Sequence, residues 1–246
     1  MRNDKSGAIS RLSICLFLII ELVVYLIFFI NDLAGGNDMI YLKYASVCLC
    51  FLFSLKMRRG NALDCVMVSA GLALTLAADV FLLLLSEGYE TGISLFILVH
   101  FIYFARLIVI CFDRSKVDER FKKRGLVVFV VLNCARLVIM LAIPFAVKRL
   151  LPDYYLAENV LAAECFCNLT FNAASCFCFT RVLKKARLFA AGLILLALCD
   201  LCVGAFNVFS SGFIYDFASA FMWAFYLPSQ VAIALSSTVD FGDATA

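Results

Sequence analysis

The sequence predicts an all-α polytopic membrane protein with about eight transmembrane helices. Of its 246 residues, 65% are hydrophobic and only 16% are charged, and the mean hydropathy is +1.00. A soluble domain carries about 45–50% apolar and about 25% charged residues, so this chain needs lipid as its solvent. The composition excludes a soluble enzyme, a secreted disulfide scaffold and a disordered regulator. With three prolines and twelve glycines there is no long linker, and residues 1–246 are expected to form a single integral membrane domain.

The transmembrane helices are predicted from runs of apolar residues. A helix needs about 20 of them to cross a bilayer, with a range of about 17–25. The candidate spans are residues 12–30, 39–55, 63–85, 91–112, 125–147, 155–180, 187–209 and 214–237. The runs lack the alternation of a lipid-facing β-barrel. The first run is long and has no signal-peptidase site, so it is interpreted as an uncleaved span.

The basic residues predict the orientation, because lysine and arginine concentrate in cytoplasmic loops. Sixteen fall on one side: Arg2, Lys5, Arg11, Lys56, Arg58, Arg59, Arg114, Lys116, Arg120, Lys122, Lys123, Arg124, Arg181, Lys184, Lys185 and Arg187. The opposite side has Lys43, Lys148 and Arg149. Both termini are therefore predicted to be cytoplasmic, in a multi-pass protein of the cell membrane. The basic loops attract anionic lipid headgroups, and no nucleic-acid partner is expected.

Twelve cysteines lie mostly inside apolar runs and are interpreted as small packing residues. The Cys199-x-x-Cys202 pair has no second pair or histidine at metal-ligand spacing. His100 is the only histidine, so a three-histidine zinc centre cannot be built from this chain. The sequence therefore predicts neither a metal nor another cofactor.

A short pattern occurs twice. Gly71-Leu72 is followed by Asp79, and Gly192-Leu193 by Asp200, with the same spacing and 121 residues between the copies. Four spans separate the copies, so both would run in the same direction through the membrane. This indicates a possible four-plus-four parallel internal repeat, as in some transporters.

Several charged or titratable residues fall inside the predicted spans, where each is costly and is expected to face the bundle interior. They are Glu21, Asp79, His100, Arg106, Arg136, Glu158, Glu164 and Asp200. By depth, Asp79, His100, Asp200 and Gln230 could share one cavity. Helical spacing adds Tyr103 beside His100, and Tyr226 beside Gln230.

Each of these residues also has a structural alternative. Either aspartate could only hydrogen-bond a neighbouring helix, and His100 could be a structural hydrogen-bonding residue. Arg106 and Arg136 are more readily interpreted as ion-pair partners or snorkelling residues than as catalysts. The three glutamates could line the cavity or pair with those arginines.

Two segments resemble the YhhN-type lysoplasmalogenase family. The run from Gly71 to Asp79 is followed by Gly92, Phe96, His100 and Tyr103, which fit a G-x3-F-x3-H-x2-Y stretch, and Tyr226 with Gln230 fits a Y-x3-Q ending. Ala78, Cys199 and Tyr44 stand where the family usually has glycine, serine and proline.

The resemblance implies an enzyme of ether lipid metabolism, a hydrolase that cleaves the vinyl-ether bond of a lysophospholipid substrate. The products are a fatty aldehyde and a glycerophospho-headgroup. Asp79 and Asp200 would be the catalytic acid–base pair, without a metal. His100, Tyr103, Tyr226 and Gln230 would bind substrate or orient the aspartates and water.

The chemistry fits such a pair, because vinyl-ether hydrolysis needs one protonated carboxylic acid and one carboxylate near neutral pH. Two rival classes remain open. A small transporter or flippase would use Asp79 and Asp200 to carry protons or hold cargo. An accessory membrane protein would use them only to join helices.

Overall fold

The computed structural model describes residues 2–36, 39–57, 62–85, 88–115, 119–150, 157–180, 186–209 and 211–238. Of these residues 94% are helical and none is in a strand, which confirms the all-α prediction. The helices are α1 (Arg2–Leu33), α2 (Ile40–Lys56), α3 (Ala62–Asp79), α4 (Tyr89–Ser115), α5 (Glu119–Leu150), α6 (Ala157–Thr180), α7 (Ala186–Val208) and α8 (Phe213–Ser236). A π-helical turn, Val80–Leu84, continues α3.

Seven of these eight helices are long and apolar enough to cross a membrane. The exception is α2, whose 17 residues extend about 25 Å and lie at the lower limit for a span. The sixth span, despite its polar residues, is an unbroken helix of 24 residues. The chain is therefore a multi-pass helical membrane protein.

The short helix α2 nevertheless reverses the direction of the chain. At one end, Lys43 of α2 pairs with Asp32 of α1, and at the other Phe53 stacks on Phe17 at 4.0 Å. Residue numbers therefore rise along α2 as they fall along α1, so the two helices are antiparallel. Asp64 near the beginning of α3 pairs with Arg106 in the second half of α4. The neighbouring Cys65 contacts Ser237, so the end of α8 also lies beside the beginning of α3. Both ends of the described chain thus lie on the same side of the bundle.

Which side faces the cytoplasm stays a prediction. Arg58, Arg59, Lys116, Arg181, Lys184 and Lys185 lie outside the described residues. The same holds for the side chains of Arg2, Lys5, Arg114, Arg120, Lys122, Lys123 and Arg124.

The pattern of neighbouring helices repeats between the two halves of the chain. The pairs α1–α2, α2–α3 and α3–α4 correspond to α5–α6, α6–α7 and α7–α8. The contacts α1–α8 and α2–α8 likewise correspond to α4–α5 and α4–α6. Of the seven helices long enough to cross a membrane, α1 and α5 are the least buried within the bundle, and they occupy equivalent positions. This correspondence supports the four-plus-four parallel repeat.

The glycines of the repeated Gly-Leu pattern allow close helix packing. A Cβ atom at Gly71 would collide with the ring of Tyr103, where α3 packs on α4. A Cβ atom at Gly192 would lie 2.7 Å from Ile233 Cγ1 and 3.0 Å from the Ser229 carbonyl oxygen, where α7 packs on α8. The two copies therefore serve equivalent helix pairs, and each brings the aspartate that follows it close to neighbouring helices.

Candidate functional site

The first aspartate, Asp79, lies at the end of α3 and is only 3% exposed. The hydroxyl of Tyr226 on α8 donates to the carboxyl group and lies 2.8 and 2.7 Å from its two oxygens. Tyr44 and Cys48 of α2 are close enough to interact with it electrostatically. We call these four residues the Asp79 cluster, in which side chains of α2, α3 and α8 meet.

The π-helical turn begins immediately after Asp79. A π-helical turn takes one extra residue and rotates the following side chains relative to those before it, and such turns are frequent at functional sites. Here Gly92 of α4 approaches the turn so closely that a Cβ atom would lie 2.5 Å from Leu82 Cγ and 3.4 Å from the Ala78 carbonyl oxygen. Gly92 therefore lets α4 pack against the segment that holds Asp79.

The second aspartate, Asp200 of α7, lies beside His100 of α4 and Cys165 of α6. The donor atoms of these three side chains all lie within 4.8 Å of one another. His100 is fully buried, Cys165 is buried, and Asp200 keeps part of its surface accessible. We call these three residues the Asp200 cluster.

The His100 ring has no hydrogen-bond partner at either nitrogen among the residues that the structure describes. Its backbone is held in place, because the Asn172 amide of α6 donates to the His100 carbonyl oxygen at 2.8 Å. The Asn172 carbonyl in turn accepts a hydrogen bond of 3.3 Å from Arg136 of α5. The imidazole is thus positioned by neighbours that leave both its nitrogens available.

The two clusters are neighbours, and no hydrogen bond joins their carboxyl groups in the described part of the chain. The ring of Phe96 on α4 lies between their partners, with its centroid 6.3 Å from that of His100 and 6.5 Å from that of Tyr226. Cys199 of α7 interacts electrostatically with both aspartates. The clusters therefore share one region of the bundle.

The clusters are also related by the internal repeat. Asp79 of α3 meets α8 and α2, and Asp200 of α7 meets α4 and α6, which are the equivalent helices. Cys165 stands 121 residues after Tyr44, the same separation as that of the two aspartates. Tyr226 and His100 occupy corresponding helices but have different chemistry.

The remaining predicted site residues lie around these clusters. Tyr103 is buried on α4, with its ring 5.5 Å edge-on from Phe189, and interacts electrostatically with Tyr226. Gln230 is fully buried one turn after Tyr226; its amide donates to Ser229 at 3.3 Å, and its carbonyl oxygen has no partner among the described residues. The prediction that these residues share one cavity stays a prediction.

The interpretation of Arg106 as an ion-pair partner is confirmed. Its guanidinium donates to both oxygens of Asp64 on α3, at 2.7 and 3.0 Å, and to the Ser236 hydroxyl of α8 at 2.7 Å. Its cationic group also lies 4.2 Å from the centroid of the Phe189 ring. This buried ion pair joins α3, α4 and α8 on the side of the bundle opposite the π-helical turn.

Of the three glutamates, Glu21 is buried and accepts hydrogen bonds from Ser46 and Cys50 of α2. Glu158 is exposed and Glu164 is partly exposed. The structure gives none of the three an ion pair with Arg106 or Arg136 among the described residues. Glu21 therefore serves the packing of α1 on α2.

Sequence reasoning missed Cys165, Tyr44 and Cys48 as parts of these clusters, and Phe96 as the ring between them. A signal for Cys165 was present, because Cys165, Asn168 and Asn172 are spaced to lie on one face of α6. That polar face is the one directed toward His100.

No protein-family model matches the chain, and neither a curated protein nor a solved structure is significantly similar to it. The chain is a polytopic helical membrane protein that holds two aspartate clusters within its helix bundle.

Proposed function

We propose that the protein is a lysoplasmalogenase-like hydrolase that cleaves the vinyl-ether bond of lysoplasmalogens by acid–base catalysis at Asp79 and Asp200. One observation carries the proposal: each of the two carboxyl groups lies beside a side chain that can exchange protons. Tyr226 contacts Asp79 on one side of Phe96, and His100 lies beside Asp200 on the other. The resemblance to the YhhN-type family adds the substrate class.

The reaction needs two groups that act on adjacent carbon atoms. A carboxylic acid protonates the β-carbon of the vinyl ether, which leaves an oxocarbenium ion. Water then adds to the α-carbon and gives up a proton to a carboxylate. The hemiacetal then loses its hydroxyl proton to a carboxylate as its bond to the glycerol oxygen breaks, and that oxygen takes a proton from a carboxylic acid, which releases a fatty aldehyde and the glycerophospho-headgroup product.

The two clusters offer different settings for these steps. Asp79 is almost fully enclosed and held by Tyr226, whereas Asp200 remains accessible beside the unpartnered imidazole of His100. Each general acid or base contributes about 10²–10⁴-fold to such a reaction. Tyr103 and Gln230 would orient the glycerol backbone or the water. We assign the acid and base roles to Asp79 and Asp200 together, without specifying which of the two is the acid.

The test is aldehyde release by the purified protein in detergent micelles, with parallel samples of Asp79→Asn and Asp200→Asn. A lysophospholipid with a saturated ether chain is the matched substrate control, because it cannot be protonated to an oxocarbenium ion. We expect aldehyde from the lysoplasmalogen only, and at least about 100-fold less from either folded variant. Folded wild-type protein that releases no aldehyde from several headgroup classes would refute the proposal.

A transporter or flippase is the second candidate, and the repeated pattern of helix neighbours favours it. Parallel repeats can support alternating access around a site near the middle of the membrane. In that case Asp79 and Asp200 carry protons or hold a headgroup. Substrate loss in micelles favours the hydrolase, whereas movement of an unchanged lipid between the leaflets of reconstituted vesicles favours the transporter.

A further inference from the structure

We propose that His100, Cys165 and Asp200 form a zinc-binding site inside the membrane domain. The three residues come from α4, α6 and α7, and their donor atoms lie within 4.8 Å of one another. The inference depends on this geometry and stands whether or not the protein hydrolyses vinyl ethers.

The set of donor atoms is one that zinc prefers. Zinc takes an imidazole nitrogen at about 2.0–2.1 Å, a thiolate at about 2.3 Å and a carboxylate oxygen at about 2.0–2.2 Å. Tetrahedral geometry with these bond lengths places the donor atoms about 3.4–3.7 Å apart. Modest rotation of the three side chains would therefore close the site around an ion. Calcium and magnesium are disfavoured because they select oxygen ligands.

The unpartnered imidazole is the second observation that points to a ligand. A fully buried side chain normally satisfies its polar atoms, and each exception requires an explanation. Both nitrogens of His100 lack a partner in the described part of the chain. One nitrogen bound to zinc would remove half of this deficit. The Asn172 hydrogen bond to the His100 carbonyl fixes the helix turn from which the ring projects.

The charge balance also favours a divalent cation. A thiolate at Cys165 and a carboxylate at Asp200 neutralise the ion, so the complex carries no net charge into a medium of low dielectric constant. Arg136 interacts electrostatically with His100 and opposes the cation, but its guanidinium also packs over the ring of Phe104, 4.6 Å from the centroid. The two anionic ligands bind the ion directly and outweigh this repulsion.

Three protein ligands leave the fourth tetrahedral position free. The accessible part of Asp200 shows that the cluster is not sealed on all sides. A water molecule in that position would be acidified by the metal, as in catalytic zinc sites with three protein ligands. In the proposed hydrolysis, Asp200 would then help to deliver the attacking water through zinc, while Asp79 would lie outside the metal site.

The experiment measures metal content and not activity. The protein is purified with a histidine-free tag, equilibrated with zinc in detergent, freed of loose metal and analysed by elemental mass spectrometry. We expect about one zinc per chain in the wild type. Cys165→Ala and Asp200→Asn should each reduce zinc content or affinity at least about tenfold. Cobalt(II) in place of zinc should give a thiolate charge-transfer band that Cys165→Ala removes.

Two matched controls separate a ligand effect from general damage. Cys167→Ala changes a buried cysteine two positions away on the same helix, and Asp79→Asn changes the repeat-related aspartate. Both should keep the metal. Zinc should also raise the melting temperature of the wild type and of Cys167→Ala, but not that of Cys165→Ala. Folded wild type without stoichiometric zinc, or equal metal in Cys165→Ala and Cys167→Ala, would overturn the site, and neither result depends on finding the substrate.

Discussion

The Asp79 and Asp200 clusters occupy equivalent positions in the two halves of the bundle but differ in how their polar atoms are satisfied. Both Asp79 oxygens accept a hydrogen bond from Tyr226, and the segment that follows is a π-helical turn. Asp200 lies in a regular helix beside the Cys165 thiol and the His100 imidazole, whose two nitrogens have no hydrogen-bond partner among the described residues. In the Asp79 cluster, the carboxyl oxygens are satisfied by a hydrogen bond within the protein. The Asp200 cluster instead has donor atoms that could bind a ligand.

This difference is one of side-chain partners and of the local helix after the aspartate. The glycine before each aspartate allows close packing in both equivalent helix pairs, while the side chains around the two carboxyl groups differ. Tyrosine at the α8 position stabilises a carboxyl group, whereas histidine at the corresponding α4 position offers a metal-binding nitrogen. The asymmetry is therefore carried by side chains on the fourth helix of each half, Tyr226 and His100, and on the second, Tyr44 and Cys165.

The largest effect on stability is expected from the Asp64–Arg106 ion pair, which joins α3, α4 and α8 at the end of α3 opposite to Asp79. Arg106→Leu would leave Asp64 buried without its cation, and removing one partner of a buried ion pair costs about 3–5 kcal/mol. Arg136→Leu is the matched control, because its described partners are an amide and aromatic rings. The free energy of unfolding in mixed micelles should fall much less for Arg136→Leu. Equal losses of unfolding free energy in the two variants would mean that the Asp64–Arg106 pair contributes no more to stability than the contacts of Arg136.

A second comparison tests the hydrogen bonding directly. In the presence of a chelator, Tyr226→Phe should lower the free energy of unfolding by about 1–3 kcal/mol, because it leaves the Asp79 carboxyl group buried without its donor. His100→Leu should change it by less than about 1 kcal/mol, because the ring makes no hydrogen bond to the described residues that could be lost.

Both variants can be measured in the same mixed-micelle unfolding assay. A large loss for His100→Leu without metal would show that the imidazole has a structural partner, and would weaken the distinction between the clusters. Adding zinc should stabilise Tyr226→Phe and leave His100→Leu unchanged.

The helical architecture could be predicted from the sequence because apolar length determines which segments can cross a membrane. The eight helices contain most of the residues expected for the eight spans, and the Gly-Leu pattern indicated which helix pairs would be equivalent. The π-helical turn was not predictable in the same way. Gly92 of α4 packs against Leu82 and Ala78 at this turn, and that contact exists only once α3 and α4 are packed together.

Part of the candidate site was also within reach of the sequence. A carboxylate inside a span is costly enough to mark Asp79 and Asp200 without any structure. A cysteine inside a span has no such cost, so Cys165 could not be distinguished from the other cysteines by energy alone. Its role depends on which side of α6 faces His100, and only the packing of α6 on α4 and α7 determines that.

The smallest expected difference concerns the two glycines that set up the equivalent helix pairs. Gly192→Ala should lower the free energy of unfolding by up to about 3 kcal/mol, because the added methyl group meets backbone atoms of Ser229 and Ile233 that cannot move separately from α8. Gly71→Ala meets the ring of Tyr103, a side chain that can rotate, so its loss should be nearer to about 1 kcal/mol.

The same measurement shows whether the two equivalent helix pairs tolerate an added methyl group to the same extent. A greater loss for Gly71→Ala would mean that Tyr103 is held as rigidly as backbone, by contacts with Phe189 and the surrounding core. Gly204→Ala on α7 is the control, because among the described residues no atom outside the adjacent backbone of α7 lies within 4 Å of a Cβ atom there. It should be neutral or slightly stabilising, since alanine has the higher helix propensity. A loss at Gly204 equal to that at Gly192 would remove close packing as the cause.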